Sequence, residues 1–144
     1  LEDVLKRLGD AASPAVLSKG MHRAVAIVQK ALAVYPPTSG RSMGPFKHER
    51  QRRYVMMLVS TGQIPYRRTG TLGRRWTTSV EGSGVDIVGR VGNNTTYGPY
   101  VMGNEGTQAS YHVGTWPRAV EVAERNKAEV VNCFVAVAQE ALRG

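Results

Sequence analysis

The residues of this chain best suited to chemistry are its arginines. Residues 41–75 hold nine basic side chains (Arg41, Lys47, Arg50, Arg52, Arg53, Arg67, Arg68, Arg74 and Arg75) and a single acid, Glu49. The rest of the chain holds ten basic and ten acidic residues, so this one segment carries the whole net charge of +8. Most of the nine are Arg, whose planar fork favours bidentate contact with carboxylate or phosphate. Such a segment has three readings: a solvated face that keeps the chain soluble, contact with an acidic neighbouring subunit, or contact with nucleic acid. Few aromatic residues accompany it (Tyr54, Tyr66, Trp76), so the segment presents no evident base-stacking platform.

Other reactive side chains are scattered. His22, His48 and His112 stand at no metal-ligand spacing from one another or from Cys133. They read as two solvent-facing histidines and one in a loop. Cys133, between Asn132 and Phe134, reads as a small buried residue rather than a nucleophile, since nothing basic lies beside it. No two acids sit close together in a loop as a general acid–base pair would. Gly82-Ser83-Gly84 reads as a hairpin turn, and Gly89-Arg90-Val91-Gly92 has no helix to open, so neither is a phosphate loop. The Asn-x-Ser/Thr matches at Asn93 and Asn94 read as chance.

The length of 144 residues and a hydrophobic content of 42% describe one domain able to bury a core without disulfides or metal. With one cysteine no intrachain disulfide forms, which fits a reducing compartment. No apolar stretch approaches the roughly 18 residues of a membrane-spanning helix. The chain begins at Leu1 rather than Met, so missing N-terminal residues are expected.

The elements that must position these side chains alternate between two periodicities. Residues 1–8 read as a short leading helix ended by Gly9. Residues 13–34 read as an amphipathic helix with Ser13 as cap and Pro14 at its first position. Its apolar stripe is Leu17, Met21, Val25, Val28, Leu32 and Tyr35. A loop follows over 36–45, then a second helix over about 46–61. That helix places Lys47, Arg50, Arg52 and Arg53 in its first half, against the preference of the helix dipole. Its second half, 54–59, is apolar nearly all round and is expected to be buried on more than one side. Residues 71–92 read as a hairpin in which Trp76, Thr78 and Val80, then Val85, Ile87 and Val91, share one face. Residues 96–102 read as a short strand or helical turn, and 103–114 as a loop. One last helix runs from about 115 to 143, with Thr115 as cap and Val120, Ala123, Val130, Phe134, Val137 and Ala141 as its stripe. The fold class is therefore α+β: a small antiparallel sheet, hairpin about 72–92 plus a short strand, packed against long N- and C-terminal helices. Helices occupy about 1–62, the sheet and loops about 63–114, and the last helix the remainder.

Over 65–106 the sequence resembles a known family. The run Pro65-Tyr66-Arg67-Arg68-Thr69-Gly70-Thr71-Leu72-Gly73-Arg74-Arg75-Trp76 is similar to the Pro…Thr-Gly-x-Leu entry to the sheet in small tail-component proteins of tailed bacteriophages. These are the minor tail, tail-completion and head–tail joining (neck) proteins. Gly89-Arg90-Val91-Gly92, Tyr97-Gly98-Pro99-Tyr100-Val101 and Glu105-Gly106-Thr107 follow in that family's order. Gly98-Pro99 replaces the usual small pair between the tyrosines, and the basic second helix looks like an elaboration. The resemblance singles out Thr69, Gly70, Leu72, Trp76, Tyr97 and Tyr100 as structural motif residues.

The resemblance implies a structural virion protein, not an enzyme, with no cofactor, metal or membrane. Such proteins form homo-oligomeric rings, of six or twelve copies, at the head–tail junction or the top of the tail. They are found in the tail or neck of the virion, assembled in the host cytoplasm. The implied partners are further copies, other neck and tail-tube proteins, and DNA passing through the lumen. The nine basic residues then become a subunit or DNA contact, with Glu121, Glu124 and Glu129 of a neighbour as acidic counterparts. The loops at 92–96 and 103–114 are expected to order on assembly. Two alternatives rest on the basic segment itself: a small nucleic-acid-binding protein, and a small basic ribonuclease using His48 or His112, which no spacing supports.

Overall fold

The computed structural model describes residues 2, 6, 9, 10, 12–36, 47–61, 63, 70–110 and 112–143, with the backbone alone for 59 and 60. Helix α1 (Pro14–Leu32) starts where Ser13 and Pro14 predict. The Ser13 Oγ accepts the Val16 N–H at 3.4 Å, satisfying one of the free donors of the first turn. Helix α2 (Glu49–Ser60) follows, then a single helical turn, α3 (Thr71–Arg74). Strands β1 (Trp76–Glu81) and β2 (Val88–Asn93) form an antiparallel hairpin joined through a 3-10 turn at Gly84–Asp86. Helix α4 (Gly98–Met102) leads through turns to α5 (Ala119–Arg125) and α6 (Lys127–Arg143). The class is α+β, a two-stranded sheet with long N- and C-terminal helices.

Helix α1 is the spine. It packs α5 and α6 along one side and the hairpin along another. Two glycines allow these approaches. A Cβ on Gly20 would lie 2.5 Å from the Phe134 ring, and one on Gly89 would lie 2.5 Å from Val25 and 2.6 Å from the Met21 sulfur. The buried arc of α1 therefore includes Gly20 and Ala24 beside Val25 and Leu32. It is wider than the single stripe read from its large apolar residues. The main core gathers Leu32, Leu72, Trp76, Val101, Met102 and Val122, and Val137 is 1% exposed beneath α6.

The register pairs Trp76 with Asn93, Thr78 with Val91 and Val80 with Gly89; Trp76 is buried and Val80, Gly89, Val91 and Asn93 are half-buried, but Thr78, expected on the same face, is exposed. Thr77, Ser79 and Glu81 face outward with Val88, Arg90 and Gly92, and Arg90 ion-pairs with Glu81 on that face.

Several expectations are corrected. Of the two readings of 96–102 the helical turn holds and the short strand does not, since Pro99 stands in the first turn of α4. Val85 does not share the inner face and is 91% exposed, because the 3-10 turn takes it out of the strand alternation. The last helix is two helices, broken at Asn126, whose side-chain amide donates to the Val122 carbonyl at 2.7 Å. Such local side-chain bonding competes with helix continuation. The buried stripe runs through Val122 rather than Val120, which is 50% exposed. The cap is Arg118 rather than Thr115: Glu121 accepts from the Arg118 backbone N–H and from its guanidinium. The second half of α2 is not buried, with Tyr54, Met56 and Met57 all exposed. The physical reason is that α2 forms no packed interface with any other described element. Of the leading helix over 1–8, only Glu2 and Lys6 fall among the described residues.

Across the α1–α6 contact, Glu140 accepts from Lys19 at 2.8 Å and from Arg23 at 2.9 Å. These two cations, Arg23 first, hold the Glu140 carboxyl at about 2, against an ordinary 4.5. A carboxyl depressed on folding stabilises fully above its unfolded value and loses that contribution as pH falls. Stability is thus expected to decline between about pH 4.5 and 2, and Glu140→Gln to remove that part of the decline, read by chemical denaturation across a pH series. Gly20→Val is expected to cost about 2 kcal/mol by overpacking against Phe134, measured as a lowered denaturation midpoint.

Candidate interaction surface

The basic segment divides into two described parts. Lys47, Arg50, Arg52 and Arg53 stand on or just before α2, and all are exposed. Their placement near a helix N-terminus is partly offset by Glu49, which accepts from Arg52 at 3.1 Å and lies 3.5 Å from Arg53. Beside these cations α2 exposes Tyr54, Met56 and Met57. The helix thus presents charge and apolar area together, without a partner element beneath most of it. Arg41, Arg67, Arg68 and Thr69 lie outside the described residues.

Arg74 and Arg75 belong to a second region, the open end of the hairpin. Gly70 caps α3 from a left-handed conformation (φ 71°), which a residue with a Cβ rarely adopts. The turn that follows buries Leu72 and turns Trp76 into the core, so both motif residues are structural. Asn93 ties this region together. Its side-chain amide donates to the Leu72 carbonyl at 2.8 Å, while its oxygen accepts from the Thr95 N–H at 3.0 Å and the Thr95 hydroxyl at 2.6 Å. The Asn94 N–H donates to the Arg75 carbonyl at 3.0 Å, and the Gly98 N–H to Thr95 at 3.2 Å. Arg74, Arg75, Tyr97 and Tyr100 are therefore gathered at one end of the sheet. All four are exposed, Tyr97 by 43% and Tyr100 by 60%. Separation in sequence hid this grouping, and the only local signal for it is the Asn93-Asn94 turn.

A third feature is an open groove of about 1000 Å³ between the end of α1, the 105–118 turns and α5. Tyr35 and Trp116 form part of its lining, edge to face at 5.2 Å between ring centres, and His112 meets Trp116 in the same manner at 6.1 Å. The Tyr35 hydroxyl accepts the Gly73 N–H at 3.0 Å, joining this wall to α3. Arg118 sits on one side, 2.7 Å from Glu121 and 3.8 Å from Glu105. These contacts, the Arg118 side chain first, pull the Glu121 carboxyl below its ordinary value. Glu121 is thus committed within its own chain, and Glu124 lies 3.8 Å from Lys127, so of the three acids expected to meet a neighbour only Glu129 makes no ion pair among the described residues.

The turns at 92–96 and 103–110 are built within the chain itself. Gln108 donates to both Val101 and Trp116 carbonyls at 2.8 and 2.9 Å, and Thr107 and Gln108 N–H groups both reach Asn104. His22 and His48 are exposed, and burial lowers the half-buried His112. The Cys133 thiol is half-buried against the Gly20 carbonyl at 3.5 Å, and burial raises it, away from the reactive thiolate. Among the described residues no three His, Cys, Asp or Glu side chains converge to hold a metal, and no helix is long and apolar enough to cross a membrane.

Replacing Asn93 by Ala leaves the Leu72 carbonyl and the Thr95 donors without their partner. The expected cost is about 1–3 kcal/mol, with faster hydrogen exchange at the Thr95 amide, measured by denaturation and exchange mass spectrometry.

Comparison of the chain with protein-family models, with characterised proteins and with solved structures finds no match.

Proposed function

We propose that this chain is a structural subunit of a tailed-bacteriophage virion, a ring-forming component at the head–tail junction or the top of the tail. The observation that carries this reading is the balance of its apolar side chains. Among the described residues, nine hydrophobic side chains are buried and twelve large ones are exposed. Among these, Tyr54, Met56 and Met57 lie together on α2 and Val131 and Val135 one helical turn apart on α6, and grouped exposed apolar residues mark surfaces that a partner covers. The exposed set is spread over α2 (Tyr54, Met56, Met57), the hairpin turn (Val85), the 113 turn and α5–α6 (Val120, Val131, Val135). A closed ring of heterologous contacts needs two different complementary surfaces on each copy, and this distribution supplies more than one.

The element order supports the same reading: an N-terminal helix, a hairpin entered by Gly70-Thr71-Leu72, the Tyr97–Tyr100 turn, and a C-terminal helix packed back on the first. The α2 arginines serve as an assembly surface in this reading. Contact with an acidic neighbour gives them the counter-charge that Glu49 alone does not supply.

Native mass spectrometry and negative-stain microscopy of the purified chain, alone and with neck or tail components, test the proposal. A closed multimer, or incorporation into such particles, is the expected result. A monodisperse monomer that enters no particle would overturn it. The double change Arg52→Glu, Arg53→Glu is expected to abolish assembly while leaving the thermal midpoint of the isolated chain nearly unchanged, because both side chains are exposed.

A further inference from the structure

The hairpin turn carries Val85, at 91% the most exposed large hydrophobic side chain among the described residues. Asp86 follows it, exposed and in no ion pair among the described residues. Residues 76–89 hold two acids, Glu81 and Asp86, and no base, and Glu81 is paired with Arg90. The turn is therefore an apolar tip with one uncommitted carboxylate. It is also firmly built. It packs against α1, and the Asp86 N–H donates to the Ser83 carbonyl at 3.3 Å. The backbone closes so tightly over Gly82 that a Cβ there would lie 2.5 Å from the Asp86 carbonyl oxygen. A pre-formed projection loses little freedom on binding.

Helix α2 offers the complement. Arg50, Arg53, Tyr54 and Met57 stand at i, i+3, i+4 and i+7, the spacing of one helical face, and all four are exposed. Residues 47–60 hold four bases and one acid, Glu49, which is shared between Arg52 and Arg53. Arg50 makes no ion pair among the described residues. The exposed Val131 and Val135 of α6 provide no such match, because residues 127–139 hold one base and one acid. We propose that the hairpin turn of one copy docks on α2 of the next, with Val85 against Tyr54 and Met57 and the Asp86 carboxylate against the Arg50 and Arg53 guanidiniums. This contact rests on the ring reading and names one interface within it. Turn and helix are different surfaces, so each copy gives a turn to one neighbour and receives one from another, as a heterologous ring needs. Opposite charge on the two faces favours turn on helix over turn on turn or helix on helix.

Two measurements on the full chain separate this contact from the ring. In the first, a photoreactive benzophenone side chain replaces Val85, and crosslinks are mapped by mass spectrometry in a mixture of isotopically heavy and light copies. Crosslinks between copies to residues 50–57 are expected. In the second, native mass spectrometry follows charge reversal under conditions where the unaltered chain assembles. Asp86→Arg alone, and Arg50→Glu with Arg53→Glu, are each expected to abolish multimers with little change in thermal midpoint, since all three side chains are exposed. An equal mixture of these two variants is expected to restore multimers, because every contact in an alternating assembly again joins opposite charges. Val85→Ser is expected to weaken association about 10- to 100-fold, the effect of losing one buried valine. Closed multimers whose crosslinks miss α2, or that persist in Asp86→Arg, overturn this contact and leave the ring reading standing. A mixture of the two charge variants that stays monomeric also overturns it. Crosslinks between copies to α2 without any closed multimer uphold the contact and overturn the ring, and the absence of both overturns both.

Discussion

Helix α1 is packed along two sides at once, and both contacts run through a glycine. At Gly20 the Phe134 ring occupies the space of a side chain, and at Gly89 the hairpin backbone closes onto Met21 and Val25. A two-stranded hairpin is marginal by itself, so it depends on this close seat against a helix. The C-terminal helix depends on the same spine, with Val137 beneath it and Glu140 clasped by Lys19 and Arg23 at the rim. Where side chains of ordinary size would hold the layers apart, the absence of a Cβ lets dispersion contacts form at full density.

From that spine the main core gathers toward one end. Leu32, Leu72, Trp76, Val101, Met102 and Val122 meet near the C-terminal end of α1, where α3, the open hairpin end, α4 and α5 converge. Asn93 and Gln108 serve this convergence by satisfying backbone carbonyls that the turns would otherwise leave unpaired. The result is a compact junction with a largely uncovered periphery. Val85, Val120, Val131, Val135 and the α2 residues Tyr54, Met56 and Met57 remain open to solvent. Such a distribution is a poor end state for an isolated chain and a natural one for a subunit awaiting neighbours.

The positive charge follows the same division. Part of it is answered locally, as Glu49 answers Arg52 and Arg53, and Glu121 and Glu105 answer Arg118. The Glu49 pairs are largely exposed, so they contribute little to folding. Arg74 and Arg75 lie in a stretch, 70–80, that holds no acid in sequence. One sequence segment thereby divides between two separate places in the fold, α2 and the open end of the hairpin.

The sequence by itself determined the α+β class, the start of α1 at Ser13 and Pro14, the inward face of β1, the glycine needed at position 70, and the inert setting of Cys133. Each of these follows from a local rule: cap chemistry, period-two alternation, left-handed backbone, the absence of a neighbouring base. Only the tertiary structure decided which apolar residues are buried. Periodicity marks a face as apolar but does not say whether anything covers it, so α2 read as buried and is exposed. Small residues carry no hydrophobic signal, so Gly20, Ala24 and Gly89 went unread although the closest approaches occur there. Periodicity likewise left Val120 and Val122 as neighbours on the helix, and it is the packing of the main core that buries Val122. The meeting of Arg74 and Arg75 with Tyr97 and Tyr100 exists only because β1 and β2 pair and Asn93 ties their open end, a non-local constraint that no window of sequence contains.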